Sequence, residues 1–113
     1  MIKSITQLKA VSALFLTIFS VPALASDRAG TISLVHSMPD GVILFYLSGS
    51  RAPAPPSCNV VDRWAFNATT AAGQARLALL LTAYASGKVI AVHGTGTCPD
   101  RADTETVDFF YAA

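Results

Sequence analysis

One stretch of helical spacing stands alone in this chain. Over residues 70–86, Leu77, Leu80, Leu81 and Tyr84 fall at i, i+3, i+4 and i+7, so they share one helix face. Elsewhere the apolar residues alternate or form short runs, as strands do. Residues 31–38 place Ile32, Leu34, His36 and Met38 on one face, with Thr31, Ser33, Val35 and Ser37 on the other. Pro39-Asp40-Gly41 is a turn, because proline presets its own backbone angle and glycine accepts the left-handed one. Residues 42–47 (VILFYL) form a second strand, apolar on both sides and therefore covered on both. Residues 48–57 are a loop rich in glycine and proline, which a sheet does not tolerate.

A third strand over residues 59–66 opposes Val60, Asp62, Trp64 and Phe66 to Val61, Arg63 and Ala65, with Trp64 assigned to the core. Asn67, Thr69 or Thr70 caps the helix, and Gly87 ends it in the left-handed conformation. Residues 88–93 and 105–111 complete the strands, the last with Val107, Phe109 and Tyr111 on one side. The fold class is mainly β with one helix (α+β), in the order β-β-β-α-β-β. That is the order of an OB-fold, a five-stranded barrel whose helix plugs the base. A ferredoxin-like sandwich needs a helix after the first strand, where this chain has a tight turn. The leucine stripe is expected to seal the barrel. A second stripe of small residues, Ala71, Ala75, Ala78, Thr82 and Ala85, has two readings. It is either an alanine-rich surface chosen for helix propensity or a contact with another subunit.

Residues 1–25 read as a secretory leader rather than structure. Lys3 and Lys9 provide the positive start, residues 10–21 an uncharged apolar run, and Ala23-Leu24-Ala25 the small residues that a signal peptidase reads. The apolar run has twelve residues, short of the roughly 20 that span a bilayer. Cleavage before Ser26 leaves residues 26–113 as one small domain, secreted or periplasmic, with no membrane attachment. Of the 113 residues 52% are hydrophobic and 13% charged, which excludes a disordered chain. Losing Lys3 and Lys9 leaves six cationic side chains against seven acidic ones, a net charge of −1. Such a chain lacks the field that grips phosphate backbones, so nucleic acid is not its partner. Cys58 and Cys98 are the only cysteines, and in an oxidising compartment an even count reads as a disulfide.

Templates for catalysis fail in turn. There is no GxSxG elbow and no thiol left free to act as a nucleophile. His36 and His93 read as strand histidines rather than metal ligands. Gly94-Thr95-Gly96-Thr97 lacks the lysine and the following helix of a phosphate loop, and reads as a flexible link into Cys98. Asp100, Asp103, Glu105 and Asp108 lack the spacing of a calcium loop and read as a solvated edge. Asn67-Ala68-Thr69 fits a glycosylation acceptor that reads as incidental. The expectation is a non-enzymatic protein with no cofactor and no metal.

Residues 64–98 (WAFNATTAAGQARLALLLTAYASGKVIAVHGTGTC) show an aromatic strand, a leucine-rich helix, a Gly-Lys turn, a valine strand and GTGTC. In this the chain resembles the B subunit of subtilase cytotoxin, the receptor-binding half of a toxin with one A chain and a B pentamer. The resemblance implies an OB-fold, assembly into a ring of like subunits through the helix, a toxin A chain as partner, and binding of host-cell glycans. It implies a sugar pocket near the start of the first strand, where Ser26 and Asp27 stand at the comparable positions. The function expected is thus a secreted, glycan-binding, ring-forming subunit. The alternative is a small periplasmic structural or stress protein.

Overall fold

The computed structural model describes residues 24–113. The expected leader lies outside the described residues except for Leu24 and Ala25. Six strands and one helix follow in chain order: β1 Asp27–Gly30, β2 Ile32–Ser37, β3 Val42–Leu47, β4 Trp64–Asn67, α1 Ala71–Ser86, β5 Ile90–Gly94 and β6 Val107–Ala112. The protein is mostly β with one helix. Its strands form two antiparallel three-stranded sheets, ordered β1-β5-β6 and β2-β3-β4.

The expected five-stranded barrel is corrected to these six strands in two sheets, without a closed barrel. The sixth strand comes from a bend. β1 and β2 are one run broken only at Thr31, whose N–H donates to Ser48 Oγ at 2.8 Å and whose carbonyl accepts from Ser48 N–H at 3.0 Å. Satisfied in this way, the backbone leaves one sheet and enters the other. At the far side the sheets touch through a parallel bridge between Ala65 and Thr106, with Ala65 N–H donating to Glu105 O at 3.3 Å.

Two register shifts overturn the simple alternation. One lies in β2 between Ser33 and His36, where Leu34 has φ +49°. An extra residue in one strand swaps the faces beyond it. Leu34 therefore points outward at 60% exposure, while Val35 packs on the core. The other lies at His93/Gly94, opposite Val107. It buries Val107 and Phe110 and leaves Phe109 and Tyr111 exposed, so the side read for Val107, Phe109 and Tyr111 is divided. The third strand is also shorter than expected. Val60 and Val61 donate their N–H groups to Asp103 O, which holds residues 59–63 as a loop.

The core lies between the sheets and the helix. Phe45, Phe66 and Phe110 pack with centroids 6.2–6.4 Å apart beside buried Trp64. β3 is covered on both faces, as its composition requires: Phe45 joins the main core, and Val42 and Leu44 pack with Ala65 and Met38. In α1, Thr70 caps the start by accepting Gly73 N–H at 2.9 Å, and Gly87 closes the end with φ +68°. The face it buries is not the predicted stripe. Gly73, Leu80 and Ala83 are buried and Leu77 is partly so, whereas Leu81 and Tyr84 are 45% and 46% exposed. The expected seal by Leu77, Leu80, Leu81 and Tyr84 is corrected to a neighbouring face, because glycine at position 73 lets the helix approach the backbone of Asn67 and Ala68. The disulfide Cys58–Cys98 is formed, with Cα atoms 6.2 Å apart, and ties the loop before β4 to the loop after β5. No helix among the described residues is long and apolar enough to cross a membrane.

Candidate functional site: an exposed aromatic face on the β1-β5-β6 sheet

Strand register builds this face. Asp27 lies opposite His93, and His93 opposite Phe109; one step along, Ala29 lies opposite Ala91, and Ala91 opposite Tyr111. Side chains two residues apart share a face, so these six form two parallel rows on the outer side. The inner side carries Ile90, Val92 and Phe110 in the core. Two alanines make a low floor. Around it stand His93, Phe109 and Tyr111, with the Asp27 carboxylate at one edge.

The His93 ring stacks on Phe109 at 4.5 Å between centroids and 17° between planes, and lies 6.1 Å from Tyr111. On its other side His93 Nδ1 pairs with Asp27 Oδ1 at 2.9 Å. Phe109 and Tyr111 are 49% and 53% exposed. A cavity of about 250 Å³ opens here, lined by Asp27, Ser50, Ala52, Ala91, His93 and Tyr111 among others. Contiguous exposed apolar surface rimmed by polar groups is the kind of patch that marks binding sites.

Directly behind β1 lies a buried polar cluster. Glu105 is fully buried, and four donors surround its carboxylate. Ser26 Oγ and Arg51 Nη1 (3.2 Å) reach Oε1; Ser26 N–H (3.1 Å) and Gly96 N–H (2.9 Å) reach Oε2. Arg51 stacks 3.8 Å above the centre of the Trp64 ring and donates to Arg63 O at 2.8 Å. Burial pushes the Arg51 guanidinium below its usual range, opposed by the nearby charges of Glu105 and Asp62. A Cβ on Gly94 would stand 2.0 Å from Glu105 Oε2, so only glycine leaves room for this carboxylate.

The residues singled out in the sequence are thus redistributed. Ser26 and Asp27, adjacent in the chain, face opposite sides of β1. The Ser26 hydroxyl is spent on Glu105, while Asp27 stands on the exposed face. Glu105 does not belong to a solvated acidic edge: it is the anion at the heart of the cluster. The Gly94–Thr97 link serves partly as its N–H cradle. His36 and His93 lie in different sheets and do not meet. His36 instead lines a second cavity of about 500 Å³ with Met38, Arg63, Arg101 and Asp103. Its two arginines are already paired, Arg63 with Asp103 at 3.2 Å and Arg101 with Asp40 at 3.3 Å. Ala71, Ala75, Ala78 and Thr82 are all exposed on α1.

Phe109 and Tyr111 were read from the sequence only as strand residues on one side with Val107, and Ala29 and Ala91 were not singled out. A usable signal was there: Phe109-Phe110-Tyr111 is a run of three aromatics, which a strand must divide between its two faces. In comparisons with known proteins, no family model, no curated protein and no solved structure matches the chain.

Proposed function

We propose that this is an exported, non-enzymatic binding protein that holds a sugar on the outer face of the β1-β5-β6 sheet. One observation carries the reading. Two half-exposed aromatic rings and a stacked histidine surround an alanine floor, with a carboxylate fixed at the edge. A pyranose ring has one apolar C–H face and a rim of hydroxyls. Its apolar face fits the floor between Tyr111 and His93, and its hydroxyls donate to Asp27. Alanines at positions 29 and 91 allow a ring to approach the backbone closely. Tyrosine suits such a role because it combines a large apolar body with a polar tip.

We read the two sheets as an OB-like arrangement. Counting β1 and β2 as one bent strand gives five strands in the expected order, with the sheets meeting at Ala65–Thr106. Oligosaccharides are among the ligands of such partly open barrels. The disulfide supports export, since disulfides persist in oxidising compartments. In keeping with the toxin-subunit resemblance, self-association runs through α1, whose outer face shows Leu81, Tyr84 and the alanine stripe and no charge beyond Arg76.

A glycan array carrying neutral and acidic oligosaccharides, probed with the wild type and with Tyr111→Ala, tests the reading. Binding that falls tenfold or more in the variant is the expected result. A folded wild type that binds nothing on the array contradicts the sugar reading and favours a structural role. Native mass spectrometry of the same sample reports the assembly state; a monomer throughout contradicts self-association.

A further inference from the structure

The chain enters the fold abruptly at Ser26. Leu24 is 59% exposed and Ala25 is exposed, yet Ser26 is fully buried. Its N–H donates to Glu105 Oε2 at 3.1 Å, its hydroxyl to Oε1, and its carbonyl accepts Gly94 N–H at 2.9 Å. The Ala25–Ser26 peptide bond therefore sits where the backbone passes from the surface to a buried carboxylate. It is also the bond that the Ala23-Leu24-Ala25 pattern marks for a leader peptidase.

We propose that the α-amino group released at Ser26 is a structural cation, seated on Glu105, so that leader removal completes the buried cluster. Hydrolysis of this bond consumes one water, leaving a carboxylate on Ala25 and an amine on Ser26. That amine takes up a proton near neutral pH. A neutral amide with one donor is replaced, at the same nitrogen, by an ammonium with three donors. Charge-assisted hydrogen bonds are roughly twice as strong as neutral ones. The seat suits a cation: Arg51 reaches Glu105 Oε1, whereas Oε2, the oxygen that meets the Ser26 nitrogen, is held only by uncharged backbone N–H groups. Removing Ala25 also opens one side of the nitrogen to water, so the new charge is not stripped of all solvent. The inference rests on the export reading and is independent of what the sheet face binds.

The test uses the full chain exported from a bacterium, its N-terminus identified by sequencing and intact mass. Residues 26–113 contain two amines, the Ser26 α-amine and exposed Lys88. An unrestrained α-amine, with pKa about 8, acylates at pH 7 well ahead of a lysine of about 10.4. In the folded mature protein the order is reversed, with Lys88 labelled first and Ser26 protected about tenfold or more; in urea the usual order returns. Glu105→Gln restores Ser26 labelling if it folds. A chain that keeps Ala25 as its first residue needs no core change. It labels quickly and melts about 4–8 °C lower, the shift that about one hydrogen bond's worth of stability gives a domain of this size. Ser26 labelled ahead of Lys88 in the folded protein, or equal melting of the Ala25-initiated chain, overturns the proposal. A processed N-terminus at any other residue overturns it at its premise, an outcome that the glycan array does not share.

Discussion

Among single residues, Glu105 carries the most weight. Four donors satisfy its two oxygens, and one of them is a guanidinium that is itself nearly buried, at 4% exposure. Removing one member of such a pair leaves an uncompensated charge in the interior. Glu105→Ala should therefore lower unfolding stability by roughly 3–5 kcal/mol, measured by urea denaturation; a loss below about 1 kcal/mol, as at an ordinary surface site, would refute this account. Asp103 gives a pH signature. The hydrogen bond from Thr104 Oγ1 at 2.8 Å holds its carboxyl below the usual range, helped by Arg63. A folded pKa below the unfolded one stabilises the protein above about pH 3.9, the ordinary aspartate value, and that contribution is lost as pH falls through the lower folded value. The melting gap between wild type and Asp103→Asn should thus be present at neutral pH and close towards pH 2. A gap that is constant across the range would show that Asp103 acts by shape alone.

At the scale of elements, the helix separates pattern from packing. Leu80 and Leu81 are neighbours of the same type, yet one is fully buried and the other 45% exposed. Leu80→Ala should cost about 2–5 kcal/mol and Leu81→Ala about 0.5 kcal/mol or less, by chemical denaturation of each variant; equal losses would place the buried face wrongly. Existence and type of most elements were legible in the sequence. Alternation located β2, the VILFYL run located β3 and its cover on both faces, and Gly87 marked the helix end, while Asn67, Thr69 and Thr70 were all candidates for its start, of which Thr70 is the cap. Faces were less legible, because each bulge inserts one residue and reverses the parity of everything beyond it. Leu34 and Tyr111 moved outward for this reason. β1 was not legible at all: Asp27-Arg28-Ala29-Gly30 has no apolar alternation and is a strand only because β5 pairs with it. The binding face inherits both difficulties, being assembled from β1 and from the half of β6 beyond the bulge.

Over the whole molecule, two devices hold the sheets together, one covalent and one polar. The disulfide spans 40 residues and links the loops on either side of the β4–α1–β5 segment. Constraint of the unfolded chain by a loop of this size is worth about 4 kcal/mol, a large share of the 5–15 kcal/mol typical of a domain. Reduction should shift the urea midpoint accordingly, and an unchanged midpoint would mean that the reduced chain keeps its loop closed without the bond. The polar device is the Glu105 cluster, which joins the start of β1 to the loops on either side of the sheet–sheet bridge. Both anchor the β1-β5-β6 sheet, whose register presents six side chains on one face. The most direct test of that face is a ¹H–¹⁵N NMR titration of the mature protein with a glycan selected on the array. Binding at this face should give shifts confined to residues 27–29, 91–93 and 109–111 and abolished by Tyr111→Ala. Shifts centred on the helix or on the His36 cavity, with this face silent, would contradict it.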